Sequence, residues 1–250
     1  MVDTLGWRML FGIVTPSTNT VVQPEYDDLR PPGVTNHIAR MHIPDDPVGS
    51  DADFAKLISS IDDALEAAIE RVMTAKPGHL ILGISAESIW GGGLAPARRI
   101  QERVRKLAGD IGLTQAADAL PAALKAFGVR ERIAIITPYF PIAEKHLHEF
   151  VGEIGYRLVR TKHLACKSPT LIAHVTGNEL REALKAVDGP DIEAIIQFGA
   201  NLPMSALAAE AEQWLGKPVI AVNTATYWHA LRSCGITDKI HGKGRLLWEH

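Results

Sequence analysis

The stretch Gly83-Ile84-Ser85-Ala86-Glu87-Ser88 places a carboxylate two residues past a serine hydroxyl in a largely apolar loop. A carboxyl group so placed can be held partly protonated near neutral pH and act as acid or base. Its bland reading is a helix N-terminal acid favoured by the dipole. Other strand ends that stop at small polar residues, Thr137-Pro138-Tyr139 and Gly199-Ala200-Asn201 among them, would bring further hydroxyls and backbone amides to the same rim. Hydroxyls and amides fixed around one point suit negative charge developing on oxygen, because they need not reorganise. A third group, Thr15-Pro16-Ser17-Thr18-Asn19-Thr20, offers the hydroxyls of Thr15 and Ser17 and the side-chain amide of Asn19, which can hold a carboxylate without a cation. Ser, Thr and Asn equally cap ordinary helices, and the residues alone do not separate the two uses.

Short apolar runs must bring these groups together. Gly12-Ile-Val-Thr15-Pro16 is echoed by Ala134-Ile-Ile-Thr137-Pro138, and His79-Leu-Ile-Leu-Gly83-Ile-Ser85 by Ala194-Ile-Ile-Gln-Phe-Gly199-Ala200-Asn201. Each run stops at small polar residues, as strands do at the ligand-binding rim of a parallel sheet. Strands are predicted at about 10–14, 36–43, 79–84, 113–116, 132–136, 157–164, 194–198 and 219–222. Between them lie helical patterns, the longest an apolar stripe from Phe54 to Val72 that reads as one helix over about 53–75. Asn178 is expected to cap the helix through Val187, and Pro96 and Pro141 to stand in the first turns of theirs. This alternation predicts an α/β fold of two pseudo-symmetric Rossmann-like halves with parallel sheets and the active site in the cleft between them.

The order of these motifs, continued by Asn223-Thr-Ala-Thr-Tyr-Trp228 and His241-Gly-Lys-Gly-Arg-Leu, resembles the aspartate/glutamate racemase superfamily. Within it the chain is most similar to the maleate isomerase and arylmalonate decarboxylase branch, from about residue 10 to about residue 247. The resemblance implies a first half of residues 1–116 plus 222–250 and a second of residues 117–221. It implies that Asn19 binds a carboxylate, and that Ser85, Tyr139 and the amides of Gly199 and Ala200 hold a carboxylate that becomes an enediolate as carbon dioxide leaves. Thr15, Ser17, Ile84, Asn201 and Thr224 complete the expected substrate-binding set, with Ile84 replacing a residue that is often a hydroxyl donor. The superfamily is known for a pair of cysteines, one from each half. Strand alignment puts them at about Gly83 or Ile84 and at Gly199, where this chain has none. Cys166 and Cys234 lie elsewhere and read as structural thiols, which leaves Glu87 as the expected proton carrier.

With 250 residues and a formal net charge of −3, the chain has no positive excess to favour nucleic acid or an anionic membrane. No apolar run approaches the roughly 18 residues of a membrane span, so a cytoplasmic protein is expected. HExxH, CxxC, GxGxxG and GxxxxGK spacings are all missing, and neither a metal nor a cofactor is expected. His146 and His148, two apart on a helix, point away from each other, and His229 reads as structural. Gly91-Gly92-Gly93 reads as a mobile lid. The expected partner is a small-molecule carboxylate, with homo-oligomerisation left open.

Three functions are compatible with these residues. The leading one is a cofactor-independent lyase or isomerase that turns over a small carboxylate or dicarboxylate through an enediolate without a cysteine pair. The second is a hydrolase of an amide, imide or lactone in which Glu87 activates water. The third is a carboxylate-binding protein without chemistry.

Overall fold

The apolar runs are buried on both faces, which is how strands of a helix-covered parallel sheet read. In the computed structural model, which describes residues 3–250, they form two four-stranded parallel sheets. The first has the order β2-β1-β3-β4, from β1 (Met9–Pro16), β2 (Val34–Met41), β3 (His79–Leu82) and β4 (Gly112–Thr114). The second repeats that order as β6-β5-β7-β8, from β5 (Arg132–Thr137), β6 (Arg157–His163), β7 (Ala194–Gln197) and β8 (Val219–Ala221). All eight predicted strands are present, and the expected pair of α/β halves is found.

Helices α1 (Val22–Leu29), α2 (Asp51–Asp63), α3 (Leu65–Met73), α4 (Ala95–Ala108) and α5 (Ala116–Ala126) accompany the first sheet in sequence. The second is interleaved with α6 (Glu144–Glu153), α7 (Gly177–Val187) and α8 (Ser205–Leu215). Finally, α9 (Val222–Ser233) returns to pack on β3, β4, α1 and α5, and α10 (Arg245–Glu249) closes the chain. Three local expectations need correction. The stripe read as one helix is broken at Ala64 into α2 and α3, so α2 can turn its own face to the cleft. Asn178 is not the cap of α7: Thr176 is, in a reciprocal capping box with Glu179. Glu87 lies in a one-turn 3₁₀ segment, Ala86–Ser88, rather than at the start of an α-helix.

Successive strand residues face opposite sides, and the cores follow that alternation. Ile13 and Ile81 of the first sheet share one continuous cluster with Ile133, Ile135 and Ile196 of the second. Val14, Leu80 and Leu82 face a separate outer core under α3 and α4, while Ala134, Ile136 and Ile195 face another under α7 and α8. The halves therefore meet through packed apolar faces, with their strand ends at one cleft.

The two strand ends correspond closely. Gly83 N–H donates to Val14 O and Phe198 N–H to Ile136 O, each at 2.8 Å, and Val14 and Ile136 each precede a Thr-Pro pair. This register matches Gly199 to Ile84 rather than to Gly83, and Leu202 to Glu87.

Candidate active site

The strand ends and the loops after them border a cleft with about 490 Å³ of space, part of it open to solvent. Its polar end is built from both halves. Ser85 Oγ and Tyr139 OH are 2.7 Å apart, and Ala200 N–H donates to the same Ser85 oxygen at 3.1 Å. Asn19 Oδ1 accepts the N–H groups of Val21 and Val22, both at 2.9 Å, at the start of α1. Its carbonyl side is thus spent on the helix end. Its Nδ2 has no partner among the described residues, and Asn19 lines the cleft. Arg40 donates to the backbone carbonyl of Asn19, fixing that segment from outside the cleft.

The opposite wall is apolar. One face of α2 presents Phe54, Leu57, Ile58 and Ile61, joined by Ile43 and Ile84. Sequence reading attached no site role to this stripe, since a helix stripe looks the same whether it covers a sheet or a ligand. Among the described residues lining this cleft there is no Lys, Arg, His or Cys, so Glu87 is its one ionisable group apart from the Tyr139 phenol.

Glu87 is 7% exposed. Burial is the main cause of a pKa raised to about 7, with the Asp62 charge adding to it, while the backbone amides of Glu87 and Ser85 oppose it. Burial likewise pushes the Tyr139 phenol well above its ordinary value, so it stays a neutral donor. The cleft therefore offers neutral donors at one end and a carboxyl that changes protonation near neutrality.

Of the residues expected to bind substrate, Asn19, Ile84, Ser85, Glu87, Tyr139, Gly199, Ala200 and Asn201 are brought together in the cleft lining. Thr15, Ser17 and Thr224 are not among its lining residues. The Thr15 hydroxyl donates to Gly83 O at 2.9 Å, stitching β1 to the loop after β3. Ser17 Oγ donates to Ile43 O at 3.2 Å and accepts from Ile43 N–H at 3.0 Å. Thr224 is buried in α9, and its hydroxyl has no partner among the described residues.

Asn201 does more than line the cleft. It accepts from Thr20 N–H at 3.0 Å and donates to Pro169 O at 2.8 Å, tying three loops together. Two further bonds close the same side: Thr170 N–H to Asp45 Oδ1 at 3.0 Å and Val48 N–H to Lys167 O at 2.6 Å. The cover over the cleft is thus made by the loops around 43–48 and 164–172. The Gly91-Gly92-Gly93 run, expected to be a lid, sits outside it, and Leu94 N–H just beyond donates to Glu153 at 2.7 Å.

Neither cysteine lines the cleft, and burial pushes the Cys166 thiol up to about 11. At Gly199, φ is +151° and an added Cβ would stand 2.6 Å from Pro138 Cγ. At Gly83 it would stand 2.8 Å from a Val22 methyl. His229 is engaged elsewhere, with Nδ1 3.1 Å from Thr114 Oγ1.

The fold is shared with known proteins. A maleate isomerase of Nocardia farcinica is 29% identical over 260 residues, covering 97% of this chain and 96% of its own. The structure of that organism's maleate cis-trans isomerase, a cysteine-to-serine variant with a covalently bound succinylcysteine intermediate, superposes with a TM-score of 0.85 at 23% identity, covering 96% of this chain and 98% of that one. Unliganded arylmalonate decarboxylase superposes with a TM-score of 0.73 at 25% identity, covering 96% and 99%. The arylmalonate decarboxylase family model matches residues 60–247. The chain belongs to the arylmalonate decarboxylase family, and with it to the enzymes of lyase and isomerase type in the maleate isomerase branch of the aspartate/glutamate racemase superfamily.

Proposed function

We propose that this protein is a cofactor-independent decarboxylase of small malonate-type acids carrying one apolar substituent, working without a cysteine pair. The observation that carries the reading is the division of the cleft: neutral donors at one end, the α2 wall at the other, and Glu87 as the titrating carboxyl. Asn19 and the Ser85–Tyr139 pair receive one carboxylate. The other carboxylate, lying against apolar surface, loses its hydration and is destabilised relative to neutral carbon dioxide. Its C–C bond breaks, and the electron pair passes into an enediolate whose oxygens accept from the Ser85 and Tyr139 hydroxyls, replacing the single hydrogen bond between the two. The proton of Glu87 then forms the new C–H bond and leaves the carboxylate of Glu87 behind. A sulfur adduct has no nucleophile in this cleft, which favours decarboxylation over cysteine-dependent isomerisation.

The test is carbon dioxide release from a panel of 2-aryl- and 2-alkylmalonates. Turnover is expected for at least one, and Ser85→Ala or Tyr139→Phe should each lower its kcat by about 10²–10³-fold, the usual loss for one oxyanion donor. Fumarate formed from maleate, with no gas from any malonate, would sink this reading. A hydrolytic reaction remains the second reading, because a base with a pKa of about 7 also suits activation of water. Label from heavy-oxygen water in the product separates it from decarboxylation.

A further inference from the structure

Glu87 borders a second space besides the cleft. Behind it, between α2 and α4, runs a groove with about 990 Å³ of space open to solvent, lined by Ala55, Ser59, Asp62, Trp90, Arg99 and Arg103 along with Glu87 itself. Among the described residues only Glu87 and Ile58 line both spaces, so one carboxyl and one apolar side chain form the partition between them.

We propose that this groove is the proton-exchange port of the active site, with Glu87 carrying protons from groove to cleft. The inference rests on the reading of Glu87 as proton donor. Each decarboxylation moves one proton from that carboxyl onto carbon, so the carboxylate must be recharged from water before the next cycle. The cleft side is the poorer route: α2 makes its wall apolar, and the bonds from Asn201, Thr170 and Val48 cross part of its mouth. The groove side is wide enough for water and has polar walls.

The charged groups facing the partition are distributed to suit the task. Asp62 on α2 sits in the groove and bonds Arg103 of α4, which also binds Glu66 of α3 at 2.6 Å. Arg103 is thus matched by two carboxylates and does not hold Glu87 ionised. Arg99 of α4 is exposed at the outer part of the groove, and Tyr139 faces Glu87 from the cleft side. His146 of α6 lies behind Trp90, with ring centroids 4.6 Å apart, and does not line the groove.

Infrared difference spectroscopy on the whole protein tests the port without needing a substrate. The protonated Glu87 carbonyl band is identified by its loss in Glu87→Gln, and its hydrogen-to-deuterium exchange is followed after mixing into heavy water on the acid side of its titration. Ser59→Phe, or Ala55→Phe should the first fail to fold, fills the groove and leaves the cleft lining untouched. Exchange should slow by about tenfold or more, because the carboxyl must then wait for local opening. Exchange as fast as in the wild type in a folded plug variant overturns the port. The separate failure of Glu87 as donor reads out differently: the plug slows exchange while Glu87→Gln leaves turnover intact.

Discussion

At the scale of single residues, Glu87 is held at a cost to folding. Its carboxyl ionises in the unfolded chain near the ordinary value of 4.5 but in the folded chain only at about 7. Between these values the unfolded state sheds its proton and the folded state keeps it, so this residue lowers stability as pH rises across that window. Glu87→Gln is therefore expected to abolish turnover yet stabilise the protein above pH 7 by up to about 3 kcal/mol, read from denaturant midpoints. As donor, Glu87 must be protonated, so wild-type kcat should fall as pH rises through about 7. Cys166→Ser combined with Cys234→Ser should leave kcat nearly unchanged, since neither thiol reaches the cleft. An activity profile flat across this range, or a dead but folded double serine variant, would remove Glu87 from its role.

At the scale of elements, the close approach of the loop after β7 to the end of β5 decides what residue 199 can be. Its positive φ and the Pro138 ring leave no space for a side chain. Gly199→Ala should lower the unfolding free energy by about 1–3 kcal/mol through backbone strain and overpacking. Calorimetry checks this, and an unchanged melting temperature would contradict it. The sequence made the strands legible because fully buried β-strands are short runs of Ile, Val and Leu ended by small polar residues. It did not show the break at Ala64, because the apolar spacing continues smoothly through it and only the turn to α3 lets α2 face the cleft. Nor did it distinguish Asn19, aimed into the cleft, from Thr15 and Ser17, whose hydroxyls are consumed by neighbouring backbone. They were separated by which backbone group lay within reach: both hydroxyls meet a carbonyl, while Asn19 spends only its Oδ1 on the start of α1. Asp45 and Thr170 were missed altogether: they are 125 positions apart and carry no local pattern.

At the scale of the whole molecule, acid tolerance is set on the first sheet. His79, at the start of β3, is buried with Nε2 2.9 Å from Thr114 Oγ1, and the same hydroxyl meets His229. Burial lowers the His79 pKa to about 4, from 6.5 in the free side chain, with repulsion from His229 adding to it. The full contribution of a neutral His79 is present above pH 6.5, where both states are unprotonated. As pH falls from there towards 4, the unfolded chain takes up a proton that the fold refuses, costing roughly 3 kcal/mol by the lower limit. His79→Gln should flatten the fall in denaturant midpoint over this range, and an equally steep fall in that variant would place the acid sensitivity elsewhere.

The matching of the two sheets leaves one asymmetry. The position equivalent to Glu87 after β7 is Leu202, which is fully buried and has no proton to give. A planar enediolate has two faces, and the proposed donor addresses it from the first half alone. Under the proposed reaction, a substrate whose reacting carbon bears two different substituents would emerge as a single enantiomer, its hand set by which half of a near-symmetric molecule carries the acid.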